Sequence, residues 1–158
     1  MLELLEVDWL DPRAVAQRDA MNAETGAMYA AFTEGNSPEV NAAIDAVLSV
    51  DPATIVHTVI AVDGDRVVGH TALRPYGDQL EVKKVFVEPD ARGTGVARAL
   101  LAEAEDYARA RGVTSLVLQT GPLQVDAIAL YLKIGYVPIE PYGGYEVING
   151  ALCYEKTL

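Results

Sequence analysis

Residues 80–101, LEVKKVFVEPDARGTGVARALL, pass from an apolar strand through a Pro-Asp turn into RGTGVA and straight on into an amphipathic helix. A glycine-rich turn between strand and helix is a cradle for an anion. Gly93 and Gly95 carry no Cβ, so a ligand can approach the backbone closely, and the first helical turn offers N–H groups without partners inside the helix. Phosphate or pyrophosphate suits such a site. A nucleoside-triphosphate P-loop is excluded, because it requires Gly-Lys-Ser/Thr and Gly95 is followed by Val96 and Ala97. The dinucleotide fingerprint fits poorly, since its third glycine falls on Arg98. Taken alone, the two glycines leave a plain strand-to-helix joint as the other reading.

Elements can be read on both sides of this turn. Residues 4–7 form a short first strand, and Asp11-Pro12 starts a long helix through Val15, Arg18, Ala20 and Met21 toward Tyr29, with Asp as N-cap and Pro in the first turn. Gly35-Asn36-Ser37-Pro38 breaks the chain and caps a second helix, whose Val40, Ala43, Ile44, Val47 and Leu48 recur at helical spacing. Residues 55–62 and 67–73 are β-rich runs around Asp63-Gly64-Asp65, a hairpin signal, and residues 80–87 supply a third consecutive strand. After the glycines, Val96, Ala97, Leu100, Leu101, Ala104, Tyr107 and Ala108 share one helix face, and Gly112 ends the helix. Residues 115–119 are a strand parallel to the one before it. Ala127, Leu130, Tyr131 and Ile134 line one face of a fourth helix closed by Gly135, and residues 136–139 and 151–157 complete the sheet. The expectation is one α/β domain of mixed α+β type over residues 1–158, with a central, mixed but largely antiparallel sheet of about seven strands flanked by four helices.

Composition bounds the function. The 158 residues suffice for a single substantial core. MLELLEV has no basic leader, and no apolar run approaches the ~18 residues of a membrane span, so a soluble, cytoplasmic protein without a membrane partner is expected. Cys153 is the only cysteine, which excludes an intrachain disulfide and suggests a small apolar filler. His57 and His70 stand isolated in expected strands, so no metal site is expected. The net charge of -11 argues against nucleic acid as a partner, since binding it requires a basic surface. Such a field suits a cationic ligand, although it serves solubility equally well.

The residues around the turn resemble the GNAT superfamily of acyl-CoA-dependent N-acetyltransferases. That family carries R/Q-x-x-G-x-G/A after a strand ending V-x-P, and this chain reads Val87-Glu88-Pro89 and then Arg92-Gly93-Thr94-Gly95-Val96-Ala97. A second family motif, A-x-x-L-Y-x-x-x-G-F/Y, is matched by AIALYLKIGY from Ala127 to Tyr136, after the strand SLVLQT. The resemblance covers roughly residues 55–158. It implies a GNAT-like fold whose sheet splays open at the cofactor, and acetyl-CoA as co-substrate.

The resemblance also implies roles. The backbone of Gly93, Thr94, Gly95, Val96, Ala97 and Arg98 would hold the pyrophosphate, with Arg92 and Arg98 adding charge unless they face solvent. The pantetheine arm would add to the strand at Val85, Phe86 and Val87, where the amides of Val85 and Val87 are the oxyanion donors. Gln124 stands where many relatives carry an asparagine against that arm. Tyr131 matches the tyrosine that protonates the leaving thiolate, its phenol expected near pKa 10; the other reading is a core tyrosine on an apolar helix face. Glu81 lies eleven residues before Arg92, at the spacing of a glutamate base, and a carboxylate on an apolar strand would have a raised pKa. Its alternative is a strand residue paired with Lys83. His70 is a further base candidate because its strand faces the acceptor cleft in relatives. Between the first two helices and the last hairpin, Tyr29, Phe32, Tyr142 and Tyr145 would wall the acceptor pocket or else pack in the core.

The implied activity is transfer of acetyl from acetyl-CoA to the primary amine of a small-molecule or amino-acid-like acceptor by direct attack. Acetylation of a protein α-amine or lysine is the runner-up, and a non-catalytic acyl-CoA sensor is the reading from a different class. A homodimer is compatible with the resemblance, but no segment marks an interface.

Overall fold

Two Asp/Ser-Pro pairs start the N-terminal helices in the computed structural model, which describes residues 1–158. Helix α1 (Pro12–Glu34) is capped by the Asp11 carboxylate, which accepts the Arg13 amide at 2.9 Å. Helix α2 (Pro38–Leu48) is capped by Ser37, whose Oγ accepts the Val40 amide at 3.2 Å. Strand β1 (Leu2–Glu6) precedes them, beginning and ending earlier than residues 4–7. Then come β2 (His57–Asp63), β3 (Arg66–Tyr76), β4 (Gln79–Val87), α3 (Val96–Ala110), β5 (Ser115–Thr120), α4 (Val125–Lys133), β6 (Val137–Ile139) and β7 (Leu152–Thr157). The expected strand start at residue 55 moves to His57, because Pro52–Thr54 closes a short 3-10 turn. No helix is long and apolar enough to cross a membrane.

The seven strands form one sheet in the order β1-β2-β3-β4-β5-β7-β6, so β7 inserts between β5 and β6. Neighbours are antiparallel except β4 and β5, which α3 connects as a crossover. That one parallel pair is short. Only Leu80↔Leu116 and Glu81↔Val117 are in register, after which β5 stays with β7 while β4 stays with β3. Residues 82–87 of β4 therefore have a free edge, and the sheet opens as a wedge there.

Helix α3 explains why the wedge holds its shape. Leu100 and Leu101 are both fully buried, one in a cluster with Val59, Ala61, Val68 and Val87, the other in a cluster with Leu73, Leu80, Val82, Leu116 and Leu118. Each buried leucine contributes about 1.5–3 kcal/mol. One helix thus ties the β2–β4 side of the sheet to the β5 side. At Gly69 it comes so close that a Cβ would lie 2.9 Å from Leu100 Cδ1 and 3.1 Å from the Phe86 carbonyl.

Strand β4 is also irregular. His70 pairs with Phe86, but Ala72 pairs with Lys83, so β4 carries an extra residue opposite Thr71. Lys84 takes φ of 53° there and is the sole non-glycine residue of the chain with positive φ. A long side chain in that conformation marks a locally strained, overdetermined backbone.

Candidate active site

The turn after β4 is built as an open anion cradle. Gly93 and Gly95 have φ of 78° and 93°, which L side chains adopt only under strain, and a Cβ at either would meet nothing within 4 Å. The glycines are thus required by conformation, and the space beside them is free for a ligand. The first bond within α3 runs from the Ala99 amide to the Gly95 carbonyl at 3.0 Å. The N–H groups of Val96, Ala97 and Arg98 precede that bond and point out of the helix start.

These groups open into a cavity of about 810 Å³ that follows the wedge. Arg92, Gly93, Gly95, Val96, Ala97 and Arg98 line its anionic end, Val85, Phe86 and Val87 line one wall, and Gln124, Ala127 and Tyr131 line the other. The structure brings together nearly every residue that the sequence places at a cofactor; Thr94 instead turns its hydroxyl to the Ala91 carbonyl at 2.5 Å. Glu24, Thr25 and Met28 of α1 complete the cavity, although no motif points to them. Arg92 already has partners: it donates to the Val87 carbonyl at 2.9 Å and to Glu24 at 2.7 Å. Arg98 is exposed and lines the cavity.

The free edge of β4 presents its amides to this cavity. Glu88 donates to the Val68 carbonyl of β3 at 2.9 Å, so by strand alternation Val85 and Val87 turn outward. Tyr131 faces them from α4, only 5 % exposed and packed against Tyr136 and Tyr154. Its phenol does not keep an ordinary pKa near 10: burial alone, with no hydrogen bond contributing, raises it well above that range. The group stays protonated at neutral pH.

The bulge is held by a buried relay. His70 is fully buried; its Nδ1 lies 2.8 Å from the Lys84 carbonyl and its Nε2 lies 3.0 Å from Arg18 Nη1. A carbonyl only accepts and a guanidinium only donates, so the neutral Nδ1–H tautomer is required. Burial lowers the His70 pKa to about 4, the Lys84 carbonyl acting against this and the charges of Arg18 and Lys84 reinforcing it. Arg18 in turn donates to the Trp9 carbonyl at 2.6 Å and stacks on the Trp9 ring, 3.5 Å from its centroid. No local signal pairs Arg18 with His70, which are 52 residues apart.

A second cavity of about 630 Å³ lies on the other face of the bulge, lined by Trp9, Arg18, Asp19, Thr25, Asp45 and Lys84 among others. Thr25 lines both cavities, and the bulge sends Val85 to the first and Lys84 to the second. The shared Thr25 and the adjacent Lys84 and Val85 make the two spaces neighbours across the bulge.

The expected acceptor-pocket aromatics sit elsewhere. Tyr29 ties α1 to the β5–α4 loop, accepting the Leu123 amide at 3.0 Å and donating to Gln124 Oε1 at 3.4 Å. Gln124 Oε1 also accepts the Gly121 amide at 3.0 Å. Phe32 packs on Tyr29 and is half exposed. Tyr142 and Tyr145 both donate to Glu81 Oε2, at 2.6 and 2.7 Å. None of these four lines either cavity.

Glu81 requires a correction. It is 1 % exposed, lines neither cavity, and is bound at Oε1 by Arg74 at 2.6 Å. Burial pushes its pKa up, but the charge of Lys83, the two tyrosine hydrogen bonds and Arg74 outweigh burial and hold it below the ordinary value. The expected raised pKa is overturned. Lys83 donates to Tyr145 at 2.8 Å, and burial lowers its pKa to about 8 against the pull of Glu81. His57 is not part of this cluster: it stacks on Tyr107 of α3 and is bound to Glu103 at 2.9 Å.

Known proteins share this fold. The model of the acetyltransferase (GNAT) family matches residues 8–136. An "IAA acetyltransferase" of Azospirillum brasilense is 43 % identical over 90 residues, 57 % of this chain and 59 % of that protein, so the chain matches little more than half of the relative's length. A crystal structure described as an acyl-CoA N-acyltransferase of Klebsiella pneumoniae superposes with a TM-score of 0.79 and 26 % identity, covering 100 % of this chain and 98 % of that one. A GNAT acetyltransferase of Elizabethkingia anophelis, solved with acetyl-CoA bound, has the same fold at a TM-score of 0.67 and 16 % identity over 99 % and 98 % of the two chains.

Proposed function

Because the chain belongs to the acetyltransferase (GNAT) family, we propose that it moves the acetyl group of acetyl-CoA onto the primary amine of a small or amino-acid-like acceptor by direct attack. One observation carries this reading: the free edge of β4 separates an anion-cradling cavity from a second cavity, and the two are neighbours across the bulge beside outward amides. A thioester laid along that edge and an amine arriving from the far side would converge on one carbon.

The amides of Val96, Ala97 and Arg98 hold the pyrophosphate, helped by the helix dipole and by the side chains of Arg92 and Arg98. Acetyl-CoA supplies the activated acyl group and the thiol leaving group. Val85 and Val87 present their N–H groups along the β4 edge, and the Val85 amide at the bulge is placed to polarise the acetyl carbonyl. Attack forms the C–N bond and breaks the C–S bond. Tyr131 stabilises the departing sulfur by hydrogen bonding, and the amine's surplus proton leaves to solvent through the open second cavity. Glu81 acts at a distance: it fixes Arg74, Tyr142, Tyr145 and, through Tyr145, Lys83 beneath the bulge.

Calorimetric titration with acetyl-CoA tests the reading first. Saturable binding near one per chain, lost in Gly95→Val, is the expected result. Absence of binding at millimolar acetyl-CoA would overturn it.

A further inference from the structure

The second cavity is lined by two cations, Arg18 and Lys84, that form no salt bridge. Every ion pair in the chain that involves Arg74, Arg92 or Arg66 has an acidic partner within 3 Å, yet Arg18 and Lys84 form none. The donors of Arg18 go to neutral acceptors, His70 Nε2 and the Trp9 carbonyl. Lys84 is half-buried at the bulge; burial presses its pKa down, and the charges of its neighbours Arg18 and Arg74 add to this. Like charges gathered without a counter-ion cost free energy that an anion would recover. Arg98, Arg111 and Lys133 also form no ion pair but are exposed to water, whereas Arg18 is buried and Lys84 half-buried in a chain of net charge -11. The cavity's own two carboxylates, Asp19 and Asp45, are exposed; Asp19 acts on Arg18 through its charge, but neither forms a salt bridge with Arg18 or Lys84.

The geometry points to a zwitterionic acceptor: an amino acid whose carboxylate sits on Lys84 and Arg18 and whose amine reaches the junction at Thr25 and the Val85 amide. This rests on the acetyl-transfer reading and narrows its substrate class. Two cations within and two carboxylates at the exposed side balance to zero, which matches a zwitterion and neither a polyamine nor a dianionic phosphate ester. The global negative field, which suits a cationic ligand, is reversed locally at the place where the acceptor would bind.

Binding and turnover can be read separately. The proteinogenic L-amino acids, their methyl esters and their decarboxylated amines are titrated into CoA-saturated protein and then assayed for thiol release with acetyl-CoA. At least one free amino acid is expected to bind and react about ten-fold or more better than its ester and amine. In Lys84→Gln that preference should fall about ten-fold, with acetyl-CoA affinity retained, and Lys84→Arg should restore it. Equal or better performance of the esters and amines throughout would overturn the inference, as would a Lys84→Gln variant that weakens acids and esters alike, since Lys84 would then act only through the bulge. Carboxylate-dependent binding without any turnover would leave the cavity assignment standing and sink the transferase reading instead.

Discussion

Acidification should destabilise this protein through one buried histidine, starting above the pH range of its carboxylates. His70 has no exposed surface, and both ring nitrogens are spoken for in a way that only the neutral ring satisfies. Protonation would aim an N–H at the Arg18 guanidinium 3.0 Å away. Its pKa falls from 6.5 to about 4 on folding, which at about 1.4 kcal/mol per unit amounts to roughly 3 kcal/mol. The sign follows from proton uptake. Between pH 6.5 and 4 the unfolded chain binds a proton at this site and the folded chain does not, so the stabilisation is complete above pH 6.5 and is lost as pH falls toward 4. Urea unfolding of the parent and of His70→Asn at intervals from pH 7.5 to about 4 measures it, the difference between the two removing groups common to both. Asn keeps a donor for the Lys84 carbonyl and does not titrate. His70→Asn should be less stable at pH 7.5, and the gap should close by about 3 kcal/mol on acidification. A gap that stays constant across the range would refute the assignment of a neutral, relay-bound His70.

Three further outcomes are expected. Tyr131→Phe should lower kcat about ten-fold or more while leaving the acetyl-CoA Kd within about two-fold, measured by thiol release and calorimetry; an unchanged kcat would remove Tyr131 from the chemistry. Glu81→Gln should leave the acidic limb of the kcat/KM profile in place but lower stability near neutrality. Because the Glu81 pKa is depressed on folding, that loss should shrink as pH falls below the ordinary carboxylate value, and a displaced acidic limb would show that Glu81 is the base after all. Gly69→Ala should cost about 1–3 kcal/mol in urea unfolding, since the new methyl meets Leu100 and the Phe86 carbonyl; a loss below about 0.5 kcal/mol would mean that α3 rides more loosely on β3 than its contacts indicate.

The cofactor half of the site was legible because it is local. RGTGVA joins a strand to a helix within one stretch of chain, its glycines meet a conformational demand, and the amides that follow are unpaired by the geometry of any helix start. Period and punctuation likewise placed every helix and strand to within a few residues, since Asp-Pro, Ser-Pro and Asp-Gly-Asp act on their immediate neighbours. What needed the tertiary structure are the parts made by residues distant in sequence. The wedge exists because β7 holds β5 while β3 holds β4, and no window of sequence reports a strand's second neighbour. The bulge at Lys84 appears only as a register difference between two strands. Glu81 reads as a base on an apolar strand until Arg74 from β3 and Tyr142 and Tyr145 from the segment before β7 join Lys83 and hold its pKa below the ordinary value. Net charge is additive and so can be read from composition, whereas a local field depends on which charges lie close together. Folding alone sets Arg18 beside Lys84 and leaves both without a salt-bridge partner.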